Sequence, residues 1–444
     1  MENNMTQGRE WKAILVFSLP VAGSYLLQIL YNISDSIIVG NFVGPDALGA
    51  VGLTSAMTWL LVNFCVGLGN GTNIVISQYF GAGRKKSIEK AIGGAYAVAA
   101  ATALVLTIIC FLAAGPVIEG FLQTPPEMSG ESRSYYCIYS TGLIFQFIYN
   151  VTYGILRAHG DSKGGLIFLF LSSVMNVFLD LLLVAVIPLG VAGAAVATVA
   201  SQAVSAGASL LYLRKYFPHL WPRSDFFKNC RKEAAQVVRL SVPLIIQSSI
   251  TAGGFVVLQR LVNSFGPASI QGYAAMQKVE QIAYIPANAF NMAMGSFVGQ
   301  NIGARMLDRV ERGFNATMKM GGVSTIVLAA VVIAFATPVL QMFNISGDAL
   351  LRGREHLYIL MVCSIFNCIS SVSSGLLQGA GDVKPPAVAG FVNLLVRVGS
   401  AYLMAGTFVD FRSIYVSIPF SWGAMCAINY FRYRSGKWKR YNIV

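Results

Sequence analysis

A polar stripe crosses an apolar stretch of the chain, Gln28-Ile-Leu-Tyr-Asn-Ile-Ser-Asp35-Ser-Ile-Ile-Val-Gly40. Gln28, Tyr31, Asn32 and Asp35 lie three or four apart, so on a helix they share one face. A carboxylate at bilayer depth costs about 2.5–3.5 kcal/mol on insertion scales and marks a functional site by default. Its chemistry is narrow: it can take a proton or, with amide and hydroxyl oxygens beside it, a hard cation. A buried Asp capped by a neighbouring Asn or Ser is the structural alternative. Five more charges fall inside apolar stretches: Asp180, Arg260, Lys278, Glu280 and Arg397.

The elements that position these groups follow from composition. Of 444 residues, 55% are hydrophobic and 11% charged, against about 25% charged in a soluble domain. With a mean hydropathy of +0.62, the succession of apolar runs reads as an all-α polytopic membrane protein. Twelve spans are expected, at about 12–40, 47–80, 91–114, 133–157, 165–187, 190–213, 237–264, 269–302, 315–342, 355–379, 385–407 and 411–432. No cleavable signal is expected, because the first apolar stretch runs on to spanning length.

Net charge of +13 does not imply nucleic acid. Most of the basic residues sit in alternate loops and at the termini, as in Arg84-Lys85-Lys86 and Arg231-Lys232, while the opposite loops hold Arg133, Arg352, Arg354 and Arg412. The positive-inside rule then puts both termini in the cytoplasm, in a multi-pass protein of the cytoplasmic membrane. The seven cysteines are scattered without a CxxC, so they read as small hydrophobes. Gly67-Leu-Gly69-Asn-Gly71 lies inside a span and suits close helix packing. Gly81 to Ser87 lacks Walker spacing, and His159, His219 and His356 stand far apart in or near loops, so neither an ATPase nor a metal site is implied. No enzyme constellation and no cofactor is expected.

The chain repeats itself. Ser18-Leu-Pro20 answers Ser241-Val-Pro243, and Gln78-Tyr-Phe-Gly81 answers Gln300-Asn-Ile-Gly303. Gly160-Asp161-Ser-Lys163 answers Gly381-Asp382-Val-Lys384, again about half the chain away. An even number of spans per repeat sets the pseudo-symmetry axis along the membrane normal. The expected organisation is an N-terminal six-helix lobe (1–213), a linker (214–236), a C-terminal six-helix lobe (237–432) and a basic tail (433–444). Two such lobes suit alternating access around a cavity.

At this point the chain resembles the multidrug and toxic compound extrusion (MATE) family. The match rests on Tyr31-Asn-Ile-Ser-Asp35, Val39 to Gly44, Gln78 to Gly83, Phe297 to Ala304 and Gly379 to Pro386, in order over essentially the whole chain. The resemblance implies a V-shaped pair of six-helix bundles that exports small organic, often cationic, compounds by antiport with H⁺ or Na⁺. Asp35 is similar to the first coupling acid of the branch that resembles the DNA-damage-inducible proteins. Asn176 and Asp180 match that branch's second element, Thr198 its neighbouring oxygen ligand, and Asn150 a cavity-lining amide. Gln28, Tyr31 and Asn32 would line the same substrate cavity, and Pro20 falls where the family bends span 1. Other branches place acids where Thr251 and Asn367 stand here, so coupling is expected in the N-terminal lobe.

Asn176 and Asp180 are one helical turn apart and face the same way. If that face meets Asp35, the two carboxylates share a proton, or Na⁺ bound by Asp35, Asp180, Asn176 and Thr198. In the C-terminal lobe, Lys278 and Glu280 cannot share a face, so Glu280 is expected to pair with Arg260 or Arg397 in a packing network. A second switch is the alternative role for that network. The rival function is a lipid-linked oligosaccharide flippase, which would hold pyrophosphate with several basic residues. Expected partners are small organic substrates and the bilayer, with the protein a monomer. Asp35→Asn is expected to abolish export while membrane insertion, measured by fractionation, is unchanged; full drug resistance in cells carrying the variant would refute this role.

Overall fold

The computed structural model describes residues 4–42, 45–122, 124, 126–342, 347–408 and 411–441, and among them the chain is helical, without strands. The first half holds α1 (Glu10–Phe42), α2 (Pro45–Gly81), α3 (Lys85–Gly115), α4 (Pro126–Thr141), α5 (Leu143–Ala158), α6 (Lys163–Asp180) and α7 (Gly190–Tyr216). The second holds α8 (Arg231–Asn263), α9 (Pro267–Gly303), α10 (Leu307–Ala334), α11 (Ala336–Gln341), α12 (Gly347–Gly379), α13 (Lys384–Phe408) and α14 (Arg412–Arg434). With α4 and α5 making one pass, and α10 and α11 another, these are the twelve expected spans. Among the described residues, eight segments are long and apolar enough by themselves to cross a membrane. The others carry polar interruptions, such as Lys278 and Glu280 in α9.

Each departure from a straight span has a local cause. The fourth pass breaks at Gly142, where a Cβ would stand 2.5 Å from Gln202 Oε1 of α7. Wider π turns follow α3 (Pro116–Phe121) and α6 (Leu181–Val186). Pro45 and Pro267 open α2 and α9, where a missing N–H costs nothing. Pro20 and Pro243 instead lie inside α1 and α8, and each removes one intrahelical hydrogen bond.

The chain forms two compact units, Met1–Asn4 with Gly23–Ile245, and Met5–Ala22 with Ile246–Val444. The boundaries after Ala22 and after Ile245 fall within three residues of Pro20 and Pro243. The segment 214–236, expected as a linker, lies wholly inside the first unit.

Within the first unit, α2 and α5 cross backbone to backbone. A Cβ on Gly154 would stand 2.3 Å from the Gly69 carbonyl oxygen, and Asn73 Nδ2 donates to the Gly154 carbonyl at 3.3 Å. The second unit repeats this with α9 and α12. A Cβ on Gly375 would stand 2.5 Å from the Asn291 oxygen, and Asn291 Nδ2 donates to the Ser371 carbonyl at 2.8 Å. Close approach by small residues is how helices associate where lipid removes the hydrophobic drive.

The repeat extends to the turns. Asp161 Oδ1 accepts from the N–H groups of Lys163 and Gly164, and Oδ2 from the Tyr212 hydroxyl at 2.8 Å. Its counterpart Asp382 instead accepts from Arg432 Nε at 2.7 Å. In the second unit the segment before α1 is clasped by α9 and α10. Arg309 donates to the carbonyls of Met5, Gln7 and Gly8 and pairs with Glu10, while Met5 is fully buried.

Gly154→Ala is expected to lower the thermal midpoint of the detergent-purified protein, by about 1–3 kcal/mol of overpacking. Gly207→Ala in α7, where a Cβ meets nothing within 4 Å, should leave it unchanged or raise it.

Candidate functional site

Helix α6 turns the soluble-protein pattern inside out. Ile167, Phe170, Leu171, Val174 and Phe178 are exposed along it, whereas Asn176 and Asp180 have no exposed surface at all. In hydrocarbon this is the favourable arrangement, since polar groups can find partners only within the protein. Asp180 is the last residue of α6, directly before the π turn at Leu181–Val186. In that turn the Leu183 carbonyl approaches α7 so closely that a Cβ on Gly193 would stand 2.8 Å from it. The π turn therefore brings α7 against the end of α6 at the depth of Asp180. Such turns recur at functional sites.

Thr198 on α7 is buried, and its hydroxyl donates to the Ala194 carbonyl at 3.0 Å. That leaves the oxygen's remaining lone pair to accept. One helical turn along, Ser172 of α6 donates to the Ser201 carbonyl of α7 at 3.0 Å and pins the two helices together. The Asn176 amide is buried with neither Nδ2 nor Oδ1 hydrogen-bonded within the protein. An orphaned buried amide costs about 1–3 kcal/mol, so its retention favours a ligand for that oxygen. A carboxylate, an amide oxygen and a hydroxyl oxygen are donors that suit a proton or a hard cation.

The remaining expected cavity residues are less enclosed. Gln28 and Asn32 are exposed and Tyr31 half-buried on α1, and Pro20 is half-buried inside the same helix. Asn150 on α5 is half-buried, with Nδ2 donating to the Gln146 carbonyl at 2.9 Å. The side chains of Asp35, Thr251 and Lys278 lie outside the described residues. Asp35 belongs by its backbone to α1.

In the second unit the charges resolve into a pair. Arg397 Nη1 of α13 stands 3.6 Å from Glu280 Oε1 of α9, with side chains 6% and 4% exposed. The Tyr284 hydroxyl donates to the same Glu280 oxygen at 2.5 Å. Of the two arginines expected as partners for Glu280, Arg397 makes the pair, while Arg260 is exposed on α8.

Sequence reasoning missed three participants. Tyr284 was findable, because it stands one helical turn from Glu280. His356, expected in or near a loop, is fully buried between the rings of Tyr273 and Tyr415, at centroid distances of 5.9 and 5.5 Å. Arg157, at the very end of the expected fourth span, is also buried, and nothing in its local sequence distinguishes it from an exposed loop arginine.

Removing one partner of a buried ion pair strands the other, at a cost of about 3–5 kcal/mol, whereas replacing both costs little. Glu280→Gln and Arg397→Met are therefore each expected to lower the thermal midpoint strongly, and the double variant to recover most of the loss. A double variant as unstable as the sum of the two singles would show that the pair does not act as a unit.

Comparison with known proteins bears on the whole chain. The family model described as MatE matches residues 20–182 and 243–403, one stretch in each half. The chain is 28% identical over 442 residues to YpnP of Bacillus subtilis, named a probable multidrug resistance protein, covering 98% of this chain and 97% of that one. NorM of Thermotoga maritima, also named a probable multidrug resistance protein, is 22% identical, with 97% and 93% covered. Among solved structures, a MOP superfamily transporter from Pyrococcus furiosus superposes with a TM-score of 0.90 at 22% identity, over 98% of both chains. That likeness establishes the twelve-helix fold.

Proposed function

The chain belongs to the MatE family, a family of transporters and not of enzymes, and we propose that it is a multidrug efflux protein coupled to H⁺ or Na⁺. In this reading it exports small organic, often cationic, compounds by antiport, with the two units alternating access to a cavity. The observation that carries the coupling site is Asn176 with Asp180: both are wholly buried on one face of α6, and the amide lacks any protein hydrogen bond. Thr198 supplies a third oxygen from α7, and Asp35 of α1 is the second acid. This arrangement of acids is the one expected of the branch resembling the DNA-damage-inducible proteins.

Ionised, Asp180 and Asp35 favour a cationic substrate in a cavity lined by Gln28, Tyr31, Asn32 and Asn150. A proton or Na⁺ taken up from outside removes that attraction and bends α1 at Pro20, where one helix hydrogen bond is already absent. The positive-inside pattern supports a cytoplasmic-membrane location with both termini cytoplasmic, and a monomer suffices for the cycle. The flippase reading asks for several uncommitted basic residues in one cavity. Arg397 is committed to Glu280 and Arg260 is exposed, which favours the exporter.

Proteoliposome transport of ethidium under separate pH and Na⁺ gradients tests this reading. One gradient should drive flux in the wild type, and Asp180→Asn should lose at least about tenfold of it while remaining monodisperse. Gradient-driven flux of wild-type size in Asp180→Asn would remove the α6 acid from the mechanism. Accumulation of a lipid-linked intermediate in a deletion strain, without any change in drug resistance, would favour the flippase.

A further inference from the structure

Arg157, in the last turn of α5, is only 4% exposed. A lone charge buried in an apolar setting is costly unless it is paired and hydrogen-bonded. Among the described residues no Asp or Glu forms an ion pair with it. Asp161, four residues on, spends Oδ1 on the N–H groups of Lys163 and Gly164 and Oδ2 on the Tyr212 hydroxyl. Helix α7, which packs on α5, contains no acid. Two acids whose side chains lie outside the described residues are too distant along their helices. Asp35 is ten residues beyond Tyr25 on α1, and Asp46 is twenty-four residues from Asn70 on α2, rises of about 15 and 36 Å.

What surrounds Arg157 is neutral and rich in donors. Nη2 donates to Asn70 Oδ1 of α2 at 3.0 Å. The guanidinium carbon lies 4.7 Å from the Tyr153 ring centroid, and Tyr149 and Tyr25 are its other electrostatic neighbours. The ring and the α5 C-terminal carbonyls both favour a cation. Neither takes up the Nε proton, which is buried without an acceptor, as is the Tyr153 hydroxyl. Tyr153 itself is fixed: a Cβ on Gly165 of α6 would stand 2.3 Å from its ring. A buried positive charge, an orphaned N–H and an orphaned O–H on adjacent turns of one helix need an acceptor that carries negative charge.

We propose that Arg157, with Tyr153, Tyr149, Tyr25 and Asn70, is a binding site for a small monovalent anion, either a halide or the carboxylate of a compound being carried. The single positive charge sets the valence, since a dianion would be left half neutralised. No covalent step is involved. Tyr153 meets α6 at Gly165, fifteen residues and so about 22 Å along that helix from Asp180, and the site stands whether or not the coupling assignment holds.

The test uses the full-length protein in detergent and does not depend on transport. The thermal midpoint is followed at constant ionic strength while sulfate, a dianion that one arginine would leave half neutralised, is replaced by chloride or bromide, and separately by benzoate. The wild type should show a saturable rise of several degrees, as expected for a ligand that binds only the folded state. Arg157→Gln should weaken the apparent affinity at least about tenfold. Should that variant fail to fold, Tyr153→Phe serves, because it removes only a hydroxyl with no protein partner. It should weaken halide affinity about threefold or more at an unchanged midpoint in sulfate. A response to halide alone identifies a free ion, and a stronger response to benzoate identifies a carboxylate. Equal midpoints in all anions, or an undiminished response in Tyr153→Phe, overturns the site.

Discussion

A polar group held in hydrocarbon has no water to turn to, so it must find its partner inside the protein or keep a ligand. Helix α6 shows the consequence most directly. Its exposed side is Ile, Phe, Leu and Val, and its enclosed side holds Asn176 and Asp180. The backbone obeys the same constraint: every pass is helical, and breaks occur where a neighbour approaches closely, as at Gly142. The polar positions inside the two units follow from that single demand.

Two solutions to the demand stand side by side in this chain. The second unit closes its buried charges on each other, Glu280 with Arg397 and Tyr284, and so gains a fixed contact between α9 and α13. The first unit leaves groups open: the Asn176 amide, the Arg157 Nε and the Tyr153 hydroxyl are buried without protein partners. A closed network favours rigidity. Open groups favour ligands, and the open Asn176 amide lies one helical turn from Asp180 on the same face of α6.

The duplicated halves keep their geometry where backbone dictates it and diverge where side chains suffice. The Gly154 and Gly375 crossings are alike because only glycine admits a carbonyl at that distance. The aspartates after the fourth and tenth passes both anchor a turn to the last pass of their half, yet one uses Tyr212 and the other Arg432. At the turn after the second pass, Gly83 has φ +66°, and its counterpart after the eighth is Arg305 with φ +61°. The second half makes the left-handed turn without the glycine that would adopt it most easily.

The polar stripe on α1, the twelve passes and the internal repeat were all legible in the sequence, because hydropathy and helical period are local properties. The same local rules placed Asn176 and Asp180 on one face, and the i, i+4 spacing would have placed Tyr284 beside Glu280. They could not choose Arg397 over Arg260, since that choice depends on how α13 and α8 are rotated against α9. Nor could they distinguish Arg157 from an exposed arginine, or show His356 enclosed by Tyr273 and Tyr415. Those facts join residues distant in sequence through helix packing, and the pattern along one helix does not encode which face meets which neighbour.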